Sequence, residues 1–196
     1  MKTVNKKLLA VAVAGVLGMG AVPAMADGLS ANVGMVSNYV WRGDSQTNDK
    51  AAIQGGFDYA KGPVSIGTWA SSLVSGTEID LYGSYSFGPV TVGLIDYYYT
   101  ADNSNSYELN IGGDLGPVSL MYSYAPDGGA WYAEGSYSME ISKGYSLGVH
   151  VGTTDASEAD YTIGVSTSAG GFDLGLTGYG KQNADSGAFV SVSKSM

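Results

Sequence analysis

The six residues GPVTVG at 88–93 recur along the chain at a regular spacing. GPVSIG stands at 62–67 and GPVSLM at 116–121, with weaker copies KGYSLG at 143–148 and GGFDLG at 170–175. The copies lie about 27 residues apart, which is typical of repeated supersecondary units. Because proline fixes φ and has no N–H to donate, it fits a turn or the first residue of a strand but not a strand interior. The repeat therefore predicts a tight turn after which a new strand begins.

Between the repeats, apolar and polar residues alternate with a period of two, as in a strand whose two faces meet different surroundings. The clearest case is Leu29–Trp41, where the odd positions are mostly apolar and the even positions mostly small or polar. A second strand lies around Ile53–Tyr59. Further strands are predicted at 63–73, 78–87, 89–99, 106–115, 117–125, 130–141, 145–153, 161–169, 172–179 and 187–196. We therefore predict an all-β fold of about 12 strands, since no stretch after residue 26 keeps a helical period.

The predicted connections alternate in character along the chain. Those that contain the Gly-Pro, Lys-Gly or Gly-Gly dipeptides are tight, and those between them are polar and mostly longer. The polar connections lie at 43–50, 74–77, 100–106, 125–130, 154–160 and 180–187. Short turns at one end, longer loops at the other and an even number of strands are the pattern of a transmembrane antiparallel up-and-down β-barrel. A bilayer requires such closure, because hydrocarbon offers no hydrogen-bond partner to a free strand edge.

Residues 1–26 differ in composition from the rest of the chain. Three lysines precede an apolar run at 8–20, and Ala24-Met25-Ala26 provides small residues for cleavage. The run is too short to span a bilayer, so we predict a cleavable secretory signal peptide at 1–26 followed by a barrel domain at 27–196. Cleavage would leave 18 acidic residues against six basic ones and no cysteine. This balance disfavours nucleic acid as a partner, and disulfides cannot stabilise the chain.

One face of the predicted strands is apolar and nearly free of charge, and the other carries acids among many glycines and serines. A soluble periplasmic β-sandwich would alternate in the same way. Aromatic residues near the strand ends favour the barrel, because such residues form girdles at the two membrane interfaces. These residues are Tyr39, Trp41, Tyr59, Phe87, Tyr107, Tyr124, Trp131, Tyr145, Tyr161 and Phe172. We therefore predict a protein in the outer membrane of a Gram-negative bacterium, in contact with lipid and lipopolysaccharide, with its termini and tight turns in the periplasm.

The polar face contains the candidate functional residues. The predicted lumen acids are Asp58, Asp80, Glu108, Asp114, Glu134, Glu140 and Asp173. Inside a barrel they would create a negative potential that concentrates cations and repels anions. Arg42, the only arginine in the chain, follows Trp41 on the lumen side. Its guanidinium can hold a carboxylate such as that of Asp58 in a bidentate fork, either as a latch for the first loop or as a solute-binding group.

These features predict an outer-membrane porin for the passive diffusion of small polar solutes, with a preference for cations. We expect no cofactor, no metal site and no catalysed reaction. Inward tyrosines and Trp69 could instead fill the lumen, which gives the alternative of a non-conducting structural barrel or one whose loops bind lipopolysaccharide or a partner. A hydrolase built from His150, Ser146 and Glu140 is the third alternative. The acids of loops 154–160 and 101–108 could bind a divalent cation, although neither loop has a complete calcium-binding pattern.

Three segments resemble a known family: SNYVWRGDSQT at 37–47, QGGFDY at 54–59 and SVSKSM at 191–196. On these motifs the chain resembles porins of the TorF type, a proteobacterial family of exported proteins, and the resemblance spans the chain after residue 26. The resemblance implies an outer-membrane barrel and identifies no solute. The chain departs from the expected pattern at two positions. Asp44 stands where an apolar residue is expected, and Met196 replaces the terminal aromatic residue that is common in outer-membrane barrels.

Overall fold

The computed structural model describes residues 27–156, 158–184 and 186–196, in which twelve strands close into one antiparallel barrel. In chain order the strands are β1 (Gly28–Val36), β2 (Val40–Trp41), β3 (Asp44–Ser45), β4 (Ala52–Lys61), β5 (Val64–Ser72), β6 (Thr77–Phe87), β7 (Val90–Tyr99), β8 (Ser104–Leu115), β9 (Val118–Ala125), β10 (Ala130–Ser142), β11 (Tyr145–Thr154), β12 (Ala159–Ala169), β13 (Phe172–Lys181) and β14 (Gly187–Ser195). Strands β2 and β3 pair only with each other, and the others form the barrel wall, in which β1 pairs with both β4 and β14. The predicted all-β fold and the number of strands are confirmed. The predicted signal peptide, 1–26, lies outside the described residues.

The repeated motifs form tight turns at one end of the barrel. Gly62, Gly88 and Gly116 have φ values of 58°, 66° and 65°, and a proline follows each of them. A positive φ followed by the fixed negative φ of proline gives a type II′ hairpin turn, whose twist matches that of the flanking strands. Below, the end with these turns is called the turn end. The opposite end, the loop end, has the connections 37–51, 73–76, 100–103, 126–129, 155–158 and 182–186.

The outer face of the barrel is a continuous apolar band. Large apolar side chains are exposed on all twelve wall strands, with Leu29 at 73% and Ile53 at 62% of their full accessibility. Most of the predicted girdle residues lie on this face near its two edges. Those near the turn end are Tyr59, Phe87, Tyr145 and Phe172, and those near the loop end are Tyr107, Tyr124, Trp131 and Tyr161. No helix in the described ranges is long and apolar enough to cross a membrane.

The first predicted strand is wrong beyond residue 36. Strand β1 ends at Val36, and the chain then enters the barrel interior, where Tyr39 and Val40 are only 8% and 6% exposed. Both side chains belong to an apolar cluster with residues of β4, β13 and β14. The alternation continues to Trp41 because β2 is itself extended, but its apolar side chains pack inside the barrel and do not face outward. Tyr39 and Trp41 are therefore not part of the predicted girdle.

Candidate functional site: the barrel lumen

The strand register places all seven predicted acids on the inner face of the barrel wall. They are Asp58 on β4, Asp80 on β6, Glu108 and Asp114 on β8, Glu134 and Glu140 on β10, and Asp173 on β13. The seven acids do not form one cluster. Some lie near the open turn end and the others lie deep in the interior towards the loop end, so the lumen has two levels with different chemistry.

The acids near the turn end are accessible and hydrogen-bonded to neighbouring residues. Asp114 accepts a hydrogen bond from the Ser119 hydroxyl at 2.5 Å, and Asp173 accepts one from the Ser168 hydroxyl at 2.5 Å. Glu140 accepts a hydrogen bond from the backbone N–H of Gly144 at 3.1 Å. Asp114, Glu140 and Asp173 define what we call the mouth acids. None of the ion pairs formed by the described residues includes a mouth acid, so their charges face the opening without a neutralising partner.

The loop end of the lumen is filled by residues 37–51, which we call the inward loop. Its Asn38 amide donates to Asp49 at 2.7 Å and to the Tyr179 hydroxyl at 3.0 Å. The side chain of Lys181 on β13 donates to Asp44 at 2.7 Å. A Cβ atom at Gly43 would lie 2.9 Å from the Cβ of Asp160, so the tip of the β2–β3 hairpin presses against the wall. The inward loop thus crosses the interior from β1 to β12 and β13.

Arg42 fixes the hairpin tip of the inward loop to the opposite wall. Its two terminal nitrogens donate to the two carboxylate oxygens of Glu108 at 2.7 and 2.8 Å. The guanidinium carbon also lies 4.3 Å from the ring centroid of Trp41 and 4.1 Å from that of Tyr132. Charge-assisted bidentate pairs and cation–π contacts are both strong where water is scarce. Burial lowers the pKa of Arg42, but the hydrogen bonds and charge of Glu108 outweigh this effect and raise it above its usual value.

The partner named from the sequence, Asp58, does not contact Arg42. Asp58 lies closer to the turn end, where it accepts a 2.5 Å hydrogen bond from the Tyr82 hydroxyl. Arg42 belongs to the inward loop, which enters the lumen from the loop end, and at that level its side chain contacts Glu108. The structure thus contains the bidentate pair that the sequence suggested, with a different carboxylate. The backbone of Arg42 is left-handed, with φ of 49°, which is a strained conformation for an arginine. The buried pair with Glu108 holds Arg42 in this conformation.

His150 belongs to a buried polar cluster on the inner face of β10, β11 and β12. Its Nε2 atom lies 3.0 Å from the Tyr132 hydroxyl and 3.2 Å from Asp160 Oδ1, and its Nδ1 atom lies 3.8 Å from Glu134. The Tyr132 hydroxyl donates to Asp160 at 2.9 Å. The predicted hydrolase residues are only partly brought together, because Glu140 and Ser146 are direct partners in the β10–β11 ladder, whereas His150 lies apart from both. Ser146 is four residues away along β11, a separation of about 13 Å in a strand.

The acids of the last polar loops are separated from one another. Asp160 lies within β12 and points into the lumen, whereas Glu158 pairs with Lys181 at 3.2 Å. At the other loop, Asp102 accepts a hydrogen bond from the Ser104 hydroxyl at 2.6 Å. In the part of the chain that the structure describes, no group of three or more His, Cys, Asp or Glu residues could hold a metal ion.

Two further buried acids, Glu78 and Asp160, line the lumen and were not among the predicted ones. Glu78 precedes Asp80 by two residues on β6, so the period of two would have placed both on one face. Asp160 was counted with a loop although it continues the inward positions of β12. Tyr132, one of the inward tyrosines, contacts three functional residues, Arg42, His150 and Asp160. No sequence pattern indicates that role.

Solved porin structures have the same architecture. The KdgM porin aligns with a TM-score of 0.62 at 11% identity, over 85% of this chain and 99% of that chain. A KdgM porin in complex with disordered oligogalacturonate aligns with a TM-score of 0.56 at 9% identity, over 86% and 98% of the two chains. A chain from a study of the in-meso crystallization of membrane proteins aligns with a TM-score of 0.58 at 6% identity, over 86% and 83%. No curated protein matches the sequence.

The chain is a closed 12-strand antiparallel β-barrel with an apolar outer band and an acidic interior, and its fold is similar to that of solved porins. Residues 20–196 match the family of bacterial proteins of unknown function called Gcw_chp, and the chain belongs to that family. The resemblance to porins of the TorF type remains a prediction.

Proposed function

We propose that this protein is an outer-membrane porin that lets small polar solutes diffuse through an acidic lumen and prefers cations. The observation that supports the proposal most strongly is the contrast between the two faces of the wall. Exposed apolar side chains surround the outside, and acids, serines and glycines line the inside. A barrel with this arrangement is stable in lipid and offers water and solutes a polar route through it. Lipid and lipopolysaccharide are the proposed surroundings of the outer band, and export by the signal peptide is part of the proposal.

The charge balance of the lumen supports the preference for cations. Nine acids point inward from the wall strands: Asp58, Glu78, Asp80, Glu108, Asp114, Glu134, Glu140, Asp160 and Asp173. Among the described residues, the basic groups facing them are Arg42, His150 and Lys181. An excess of carboxylates in a low-dielectric wall attracts cations and repels anions. The oligogalacturonate bound by one of the similar porins carries many carboxylates, so we do not propose a solute of that kind here.

Planar-bilayer current from the purified, folded protein tests this proposal. We expect discrete current steps and, across a salt gradient, a reversal potential that favours cations. Replacing the mouth acids together, as Asp114→Asn, Glu140→Gln and Asp173→Asn, should reduce that potential, because it removes exposed charges while keeping side-chain size. Asp102→Asn with Asp127→Asn is the matched control, since these acids lie in loops outside the lumen. A reversal potential that does not change in the mouth variant would remove the mouth acids from the selectivity mechanism.

A non-conducting barrel is the second candidate, and the inward loop is the observation that favours it. Asn38, Val40 and Thr47 are almost fully buried within the lumen, as expected for a plug. In that case the loop-end surface would be the working part of the molecule, binding lipopolysaccharide or another partner. Absence of current from protein that is demonstrably folded would support this candidate and contradict the porin proposal.

A further inference from the structure

Among the described residues, two acids on the inner face of β6 have no positive partner. Glu78 and Asp80 are each only 4% exposed. Oδ1 of Asp80 is buried and accepts no hydrogen bond, while Glu78 accepts a long one, 3.4 Å, from the Tyr99 hydroxyl. No ion pair within the described ranges includes either acid. The basic groups at the loop end, Arg42 and Lys181, pair with Glu108, Asp44 and Glu158 instead.

This arrangement is unfavourable unless something positive joins it. Residues two apart on a strand lie about 6.5–7 Å from each other, close enough for their charges to repel strongly in a buried site. A buried carboxylate without a partner is costly, and a second one nearby raises the cost. A proton or a bound cation can supply the missing positive charge, and the unpartnered Asp80 oxygen marks the position at which a cationic ligand would do so.

The residues around the two acids are aromatic. In the register, Asp80 lies directly between Trp69 on β5 and Tyr97 on β7, and Glu78 lies opposite Tyr99. Tyr39 of the inward loop adds a fourth ring, with its centroid 5.5 Å from that of Trp69. Aromatic rings attract organic cations through their negative faces, and quaternary and primary ammonium groups are bound in this way. Hard metal ions instead require six or more oxygen ligands, which these two carboxylates do not provide.

A polar route connects the site with the turn end. The next inward residues on β6 are Tyr82, Ser84 and Ser86, and all three are half-buried where Glu78 and Asp80 are buried. The Tyr82 hydroxyl is hydrogen-bonded to Asp58, which adds another acid along the same route. A small cation that enters between the mouth acids therefore meets carboxylates up to Asp80, where it reaches the inward loop.

We propose that Glu78 and Asp80, with Trp69, Tyr39, Tyr97 and Tyr99 around them, bind the ammonium group of a small alkylammonium solute. This inference rests on the proposed porin function and deepens it, because it identifies the class of cation that the lumen prefers. The carboxylates neutralise the charge of the solute, and the rings contact its methyl or methylene groups. The site lies beneath the inward loop, so binding there precedes any passage to the loop end.

Calorimetric titration of the purified, folded protein with methylammonium chloride tests the site at constant ionic strength. We expect one methylammonium per protein, and binding that is at least about tenfold weaker in Asp80→Asn, which keeps the shape of the side chain but removes its charge. Asp102→Asn is the matched control, because it neutralises an acid in a loop outside the lumen, and the affinity of this variant for methylammonium should stay within about twofold of that of the wild type. Potassium should bind at least about tenfold more weakly than methylammonium because it gains less from the rings.

Three results would each overturn the inference. They are the absence of methylammonium binding to the folded wild type, equal binding in Asp80→Asn and the wild type, and equal affinity for potassium and methylammonium. Glu78→Gln takes the place of Asp80→Asn if the latter does not fold. The titration needs no current through the barrel, so the two proposals fail separately. A folded protein that binds methylammonium but conducts nothing would contradict the porin proposal and leave the binding site intact.

Discussion

At the scale of single residues, Arg42 is the contact on which the position of the inward loop depends. A hydrogen bond to a charged group contributes about 1.5–3 kcal/mol, and Arg42 makes two of them to Glu108. We predict that Glu108→Gln frees the hairpin tip and speeds trypsin cleavage after Arg42 by at least about tenfold, measured by mass spectrometry of the fragments. Glu140→Gln, which neutralises an acid far from Arg42, should leave that rate unchanged. Equal cleavage in both variants would mean that the Arg42 pair does not hold the loop.

At the scale of structural elements, the inward loop and the wall are separable. Val36 and Ala52 are direct partners in the β1–β4 ladder, so a short Asn-Gly turn can join the two strands without residues 37–51. We predict that this deletion leaves a folded barrel, because the ladders between the wall strands are formed by residues outside 37–51, and at the edge of these ladders the deletion removes only the bonds of Ser37 to Val190 on β14. Single-channel conductance should rise several-fold, since the polar and apolar side chains that fill the loop end are gone. Circular dichroism checks the fold, and an unchanged conductance in a folded variant would show that the restriction lies elsewhere.

At the scale of the whole molecule, the two ends of the barrel differ enough to predict its orientation. The tight turns and both ends of the barrel chain lie together, and the connections that carry the inward loop lie at the other end. The chain has no cysteine, so single cysteines can report on each end without interference. We predict that Asn103→Cys is labelled by a membrane-impermeant maleimide on intact cells, whereas Lys143→Cys is labelled only after the outer membrane is opened. Labelling of both on intact cells would contradict the proposed orientation.

The wall of the barrel could be predicted from the sequence because it follows from local rules. A period of two fixes which side chains share a face, and Gly-Pro repeats such as those at Gly88 and Gly116 fix where strands restart. Closure then follows from the need to pair every strand edge. The same rules place Asp80 and Glu108 inside. The sequence alone determined the strand number, the two faces and the acidic character of the lumen.

Only the tertiary structure decided what fills that lumen. The alternation in Leu29–Trp41 looks the same whether a side chain contacts lipid or the barrel interior. Tyr39 and Val40 pack in an apolar cluster inside the barrel, and lipid would surround them with equally apolar groups. The pairing of Arg42 with Glu108 joins residues 66 positions apart, and no local pattern distinguishes that acid from Asp58. Asp80 likewise lacks a partner because the basic groups at the loop end form ion pairs with other carboxylates. Periodicity places a residue on a face, but contacts across the interior depend on distances that only the closed barrel fixes.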